Sequence, residues 1–328
     1  MHDAFAWLKD PSNETSVRRI REQVEADRAG VLIFLGAGLS YGAARARRLF
    51  ELTSNDNDHA ALPSWPVLIT RMLEELKRLP DLHGSIVDLE AFKAEQSALD
   101  FAELFRGKMG EANYVAFLRQ QFAPEIVTTD VLPSGHRDRS RMAYLTASHR
   151  ALVALPVEST YTTNFDELIE TAYRVFDPEH GLRLRVSAAP AEFMANVATH
   201  PPRHLIKLHG TIDRPDTIVL TRSDFARSRR ERAEMFSYFA HHLREASFVF
   251  VGFSLSDPNF TQVYDDARLA WGSAMPVSYI VQAGRNVVKE AYLRTMGLNT
   301  IALQYWDELP EFLHRINPQQ DWDEPLLG

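Results

Sequence analysis

The chain has no cysteine among its 328 residues. That excludes disulfides, a thiol nucleophile and any thiolate-bound zinc or iron–sulfur cluster. Its twelve histidines include no H-E-x-x-H or other closely spaced ligand set, so no metal is expected. No apolar run approaches the roughly 20 residues that a membrane-spanning helix needs. Nor does the segment Met1–Trp7 carry a basic stretch leading into an apolar one, so the expected location is cytoplasmic, without membrane contact. Positive charge is in deficit: 36 Lys and Arg against 44 Asp and Glu give a net charge of −8. A protein that coats nucleic acid by bulk charge has the opposite balance. Arginines bunch at 45, 47 and 48, at 137, 139 and 141, and at 227, 229, 230 and 232. Each cluster reads as a solvated helix face or loop, which leaves nucleic acid an indirect partner at most.

What is present is an ordinary globular composition, 45% hydrophobic and 24% charged, with ample material for a core. The most informative stretch is Val31-Leu-Ile-Phe-Leu-Gly36-Ala37-Gly38-Leu-Ser40. Five apolar residues running into Gly-Ala-Gly-Leu-Ser predict a buried parallel strand that turns sharply into a helix. Such a turn is where α/β folds receive a phosphate, because Gly lets the backbone approach and the helix start offers free N–H groups. The third glycine of G-x-G-x-x-G is missing, since position 41 is Tyr and Gly42 comes one residue late. A tight turn with no ligand is therefore an equal reading of this loop alone.

Around it, Val17, Ile20 and Val24 predict a first helix, with cap candidates in Asn13-Glu-Thr-Ser. Tyr41–Leu52 is read as helix and residues 53–58 as a polar loop. Pro63-Ser-Trp65-Pro66 starts a helix with an apolar stripe at Val67, Leu68, Met72, Leu73 and Leu76. Residues 86–106, 111–122 and 141–154 favour helix, with a Pro- and Gly-containing loop at 123–140. Nearly 100 residues thus lack a convincing strand and read as a helical insertion at about 60–155. Strands are predicted at 159–162, 182–186, 204–208, 247–252, 277–281 and 300–303, and 217–220 is β-prone. Helices are predicted at 167–175, from 223 to about 245, at 257–271 and 287–296, and from about 307. This alternation predicts an α/β fold, a Rossmann-like parallel sheet with helices on both faces. The organisation expected is one domain over 1–328: a core at about 25–52 and 155–305, the insertion, and a helical tail at about 306–328.

Four motifs follow predicted strands: Gly36–Ser40, Thr163-Asn164-Phe-Asp166, Lys207-Leu-His209-Gly210 and Gly252-Phe-Ser254-Leu-Ser-Asp257. In a parallel sheet such strand ends share one edge, so the motifs converge on one crevice. Read singly, each has a structural alternative. Asn164 could cap the following helix and Asp166 could supply its favourable N-terminal charge. His209 could be a buried turn histidine, Asp257-Pro258 an ordinary helix start, and Trp65 a core residue.

Taken together, in this order and spacing, the motifs resemble the sirtuin family of NAD-dependent proteins. Thr162-Thr-Asn164-Phe-Asp166 matches its T-x-N-x-D segment. Leu62–Trp65, Lys207–Gly210 and Gly252–Pro258 resemble the prokaryotic branch that acts in anti-phage defence. The four-cysteine zinc ribbon and the Gly-Ile-Pro-Asp-Phe-Arg segment of protein-deacetylating sirtuins are missing. The resemblance therefore implies cleavage of NAD+ to nicotinamide and ADP-ribose, with NAD+ as substrate and no metal. It implies catalytic roles for Asn164, on the ribose or the attacking water, and for His209 as general base. Gly36, Ala37, Gly38 and Ser40 would meet the phosphates, Asp166 the ribose side, and Gly252, Ser254 and Asp257 the adenosine side. Phe253 stands where the family usually has Thr. Depletion of NAD+ in abortive infection would need restraint. Only about 25 residues follow the sheet, so the expected control is a homo-oligomer or a separate ATPase/translocase, Argonaute-like or nucleotide-signalling partner. ADP-ribosyl transfer, deacylation and a non-catalytic NAD or ADP-ribose-binding subunit are the alternatives.

Overall fold

The computed structural model describes residues 6–40, 62–82, 85–122, 145–177, 181 and 183–322. The expected helix at Tyr41–Leu52, the loops at 53–58 and 123–140, and the first two arginine clusters lie outside these residues.

The core is a seven-stranded sheet of β1 (Val31–Leu35), β2 (Ser159–Thr162), β3 (Leu184–Ser187), β4 (Arg203–Lys207), β5 (Ser247–Val251), β6 (Ser278–Ala283) and β7 (Leu298–Leu303). Their order is β3-β4-β2-β1-β5-β6-β7, and every pair is parallel. This is the Rossmann-like α/β architecture that the sequence predicts. The order reverses at β1, which pairs with β2 on one side and β5 on the other. In such sheets a crevice opens at the carboxyl ends beside the reversal.

Side chains alternate across the sheet, and the two faces differ in kind. Val31, Ile33, Leu35, Val249 and Val251 enter one core, largely aliphatic. Leu32, Phe34, Phe248 and Phe250 enter the other. The aliphatic face is covered by α1 (Pro11–Ala26), α6 (Ala147–Ala154), α7 (Leu168–Phe176) and α13 (Leu309–Arg315). The aromatic face is covered by α8 (Pro190–Val197), α10 (Ala233–Glu245), α11 (Pro258–Trp271) and α12 (Val287–Thr295).

Between β1 and β2 stand α2 (Trp65–Lys77), α3 (Ile86–Glu95), α4 (Ala98–Met109) and α5 (Glu111–Phe122). Their apolar faces form a third core around Met72, Phe101, Phe105 and Phe117, joined by Phe165, Ile212, Ile218 and Leu220 from the sheet loops. Among the described residues no helix is long and apolar enough to cross a membrane.

Several sequence expectations are corrected. The first helix is capped by Asp10, whose side chain accepts the Ser12 N–H. Asn13, a cap candidate, is instead buried and donates to Trp7 O and Ala302 O. The helix read over 86–106 breaks at Ser97, which caps α4 by accepting the Asp100 N–H. The β-prone 217–220 segment joins no strand: its start is a single 3-10 turn at Pro215–Thr217. The helix read from 223 to about 245 is two, α9 (Arg222–Glu231) and α10, divided at Arg232. Helix α8 was not expected; Pro190 sets its first turn.

Candidate active site

Beyond β1 the chain enters one 3-10 turn, Ala37–Ser40. This loop is packed tightly against the loop after β5: Gly36 N–H donates to Val251 O and Gly38 N–H to Gly252 O, at 2.9 and 3.0 Å. A Cβ on Gly38 would sit 2.5 Å from Gly252 Cα. Gly252 also has φ +63°, in the region glycine tolerates. Gly38, expected to meet a pyrophosphate, uses its missing Cβ to admit the Gly252 backbone. Trp306 Nε1 donates to Gly38 O at 2.7 Å, so the C-terminal segment also holds this loop. Ser40 Oγ is buried without a hydrogen-bond partner among the described residues.

The loop after β2 is tied to β1. Thr162 Oγ1 donates to Leu35 O and accepts the Asn164 N–H, and Asn164 Nδ2 donates to Gly36 O at 3.2 Å. Asn164 therefore does not cap α7. That work falls to Asp166, whose Oδ1 accepts the Leu168 N–H. Burial pushes the Asp166 carboxyl up, and the Lys207 ammonium opposes the shift.

Lys207, at the end of β4, is fully buried. Its Nζ donates to Asp166 O at 2.6 Å and Glu170 Oε1 at 2.8 Å. It fastens the Asn164–Asp166 segment to the strand that carries His209. Arg232, counted with the solvated arginines from sequence, is buried as well. It donates to Ala188 O, Leu208 O and Thr217 O, and burial pulls its guanidinium down to about 10. Two buried cations thus brace the backbone around His209. Lys207 was visible in the Lys-Leu-His-Gly motif but had no assigned task. Arg232 lies inside what the sequence shows as one continuous helix, and nothing in the sequence marks it.

His209 is nearly buried. Its ring meets the Phe225 edge at 5.0 Å between centroids, and Nε2 lies 3.0 Å from Asp257 Oδ2. Asp257 also caps α11 by accepting the Phe260 N–H through Oδ1 at 2.8 Å. Burial pushes the Asp257 carboxyl up, but the His209 imidazole and backbone N–H groups outweigh it and hold the group below the ordinary carboxylate value. Asp257, expected on the adenosine side, is thus a partner of His209. In the same loop Leu255 has φ +59°, an uncommon conformation for a residue with a Cβ. Phe253 lines the cavity and packs on Phe34 and Phe260.

All ten sequence-predicted residues line one cavity of about 640 Å³: Gly36, Ala37, Gly38, Ser40, Asn164, Asp166, His209, Gly252, Ser254 and Asp257. Its remaining wall is largely apolar and includes Leu62, Trp65, Leu99 and Phe122. Trp65, read as core, is half-buried and does both, joining the third core and lining the cavity. A polar ledge facing an apolar wall suits a ligand with charged and aromatic parts. Among the described residues no group of three or more His, Asp or Glu is placed to hold a metal.

Residues 158–301 match the SIR2-like domain family. The matched span holds Asn164, His209 and Asp257, while β1 and the Gly36–Ser40 loop precede it. The chain is also similar to proteins named NAD(+) hydrolase ThsA. The one from Bacillus cereus (strain MSX-D12) is 24% identical over 194 residues, covering 54% of this chain and 40% of the relative. The one from Enterococcus faecium is 23% identical over 278 residues, covering 84% of this chain and 47% of the relative. The chain therefore spans less than half the length of these relatives.

Proposed function

We propose that this protein hydrolyses NAD+ at the nicotinamide–ribose bond, giving nicotinamide and ADP-ribose, and that the activity depletes NAD+ in anti-phage defence. The observation that carries this reading is the convergence of Asn164 and His209 on one cavity beside the sheet reversal. Similarity to proteins named NAD(+) hydrolase supports the choice of substrate.

The residues suit the chemistry. Loss of nicotinamide leaves an oxocarbenium-like ribose, which needs fixed dipoles and a water placed for attack. With Nδ2 committed to Gly36 O, Asn164 keeps its amide oxygen for the ribose or that water. His209 takes the proton from the water or from a ribose hydroxyl as general base. Ser40 and the Gly36–Gly38 turn face the phosphates, Asp166 borders the ribose, and Gly252 and Ser254 border the adenosine side. Control comes from self-assembly or from a separate regulatory protein. The organisation we propose is a single domain in which the helices between β1 and β2 are an insertion that walls the site.

The test is product identity after incubation with NAD+, alone and with the proteins encoded beside it. Equimolar free nicotinamide and ADP-ribose are expected. A mass increase on a protein target would mean ADP-ribosyl transfer, and intact NAD+ recovered from every assembly would mean a binding subunit; either result overturns the proposal.

A further inference from the structure

The two oxygens of Asp257 have separate tasks. Oδ1 accepts the Phe260 N–H at 2.8 Å, and Oδ2 lies 3.0 Å from His209 Nε2. Both side chains are almost enclosed, 7% exposed for His209 and 10% for Asp257. A neutral imidazole has one proton, and the group beside one nitrogen decides which nitrogen holds it. A carboxylate beside Nε2 draws the proton there. The lone pair is then on Nδ1, to which no described residue is hydrogen-bonded.

We infer that Asp257 is a positioning residue that fixes His209 as its Nε2–H tautomer and leaves Nδ1 as the base. The inference rests on the NAD+-cleaving reading for its catalytic half alone; the tautomer itself follows from the contact. Ordinary capping does not require this arrangement, because Oδ1 alone caps the helix.

Two substitutions separate the tasks. Asn and Ser are both good caps, so both variants are expected to fold. In Asp257→Asn the amide oxygen must stay on the Phe260 N–H, which turns the amide NH2 toward Nε2. That donor requires a lone pair at Nε2 and moves the ring proton to Nδ1, blocking the base. In Asp257→Ser the hydroxyl caps but is too short to reach the ring, which frees the tautomer.

The experiment uses the full chain labelled with 15N-histidine, with the His209 signals assigned by their loss in His209→Gln. Two-bond nitrogen–proton correlations then report the tautomer, and nicotinamide release from NAD+ is followed in parallel. Expected are Nε2–H in the wild type, Nδ1–H in Asp257→Asn and a mixture in Asp257→Ser. With Asp257→Asn, kcat should fall about 100-fold or more, the scale of losing a general base, while KM changes less than about threefold, as for an effect confined to the chemical step. An Nδ1–H wild type overturns the inference, as does a variant that keeps the wild-type tautomer or rate. If Asp257→Asn fails to fold, the wild-type and Asp257→Ser spectra still decide. Should the wild type release no nicotinamide in any assembly, the functional reading fails while these spectra still judge the tautomer.

Discussion

The two sides of the cavity are held in different ways. The ledge at the strand ends is fixed by buried side chains that bond backbone far away in sequence: Thr162 to Leu35, Asn164 to Gly36, Lys207 to Asp166, and Arg232 to Leu208 and Thr217. The helical wall shares an apolar core with Phe165, Ile212, Ile218 and Leu220 of the sheet loops and meets α9 through a polar rim. There Arg222 pairs with Asp100, Ser223 Oγ donates to Glu103, and Arg106 pairs with the buried Asp224. Buried polar groups with partners are costly to disturb, whereas exposed pairs contribute little. The chemistry therefore rests on the half that tolerates least change, and beyond the apolar core it shares with the sheet loops the wall carries a rim of pairs that can be altered singly.

The largest effect on stability is expected at Lys207. Lys207→Met leaves Glu170 buried and unpaired, and removing one partner of a buried pair costs about 3–5 kcal/mol. Urea denaturation should show that loss, and Lys207→Met with Glu170→Leu should recover most of it. A smaller effect is expected for Gly38→Ala, where the new Cβ meets the Gly252 backbone. Overpacking of this kind costs about 1–3 kcal/mol, and because both loops border the cavity, nicotinamide release should fall as well. The smallest effect is expected at the rim. Arg222→Ala should move the thermal midpoint at neutral pH less than Gly38→Ala does. Its signature lies at low pH: the Arg222 guanidinium holds the Asp100 carboxyl down at about 2, from 3.8. A depressed folded-state value gives stability that is present above the ordinary carboxylate range and is lost as pH falls toward 2. The wild type should lose this contribution between about pH 4 and 2, and in Arg222→Ala, where Ser97 still donates to the Asp100 carboxylate, the loss over that range should be smaller.

The same contrast explains what was legible in the sequence. Strands such as Val31–Leu35 are continuous apolar runs because both sheet faces are covered, so the sheet could be read directly. The ledge was readable because glycine and short polar residues at strand ends form motifs in fixed order. What each residue touches was not readable. Gly38 meets Gly252, Asp257 meets His209, and Arg232 turns inward from an arginine-rich helix, all through contacts between distant segments. The wall showed only helical periodicity, which gives apolar faces but not their partners, so Trp65 looked like core alone. Helix α8 was missed because its eight residues bury only Phe193, too little for a periodic signal.

The most direct measurement of the central claim is nicotinamide release from NAD+ by the purified protein, alone and with its genomic-neighbour proteins. Asn164→Ala and His209→Ala are compared with the wild type, with circular dichroism as the check on folding. The account predicts release by the wild type in at least one assembly and a fall of about 100-fold or more in each variant, with the fold retained. Release that survives either substitution, or no release from any assembly, would contradict it.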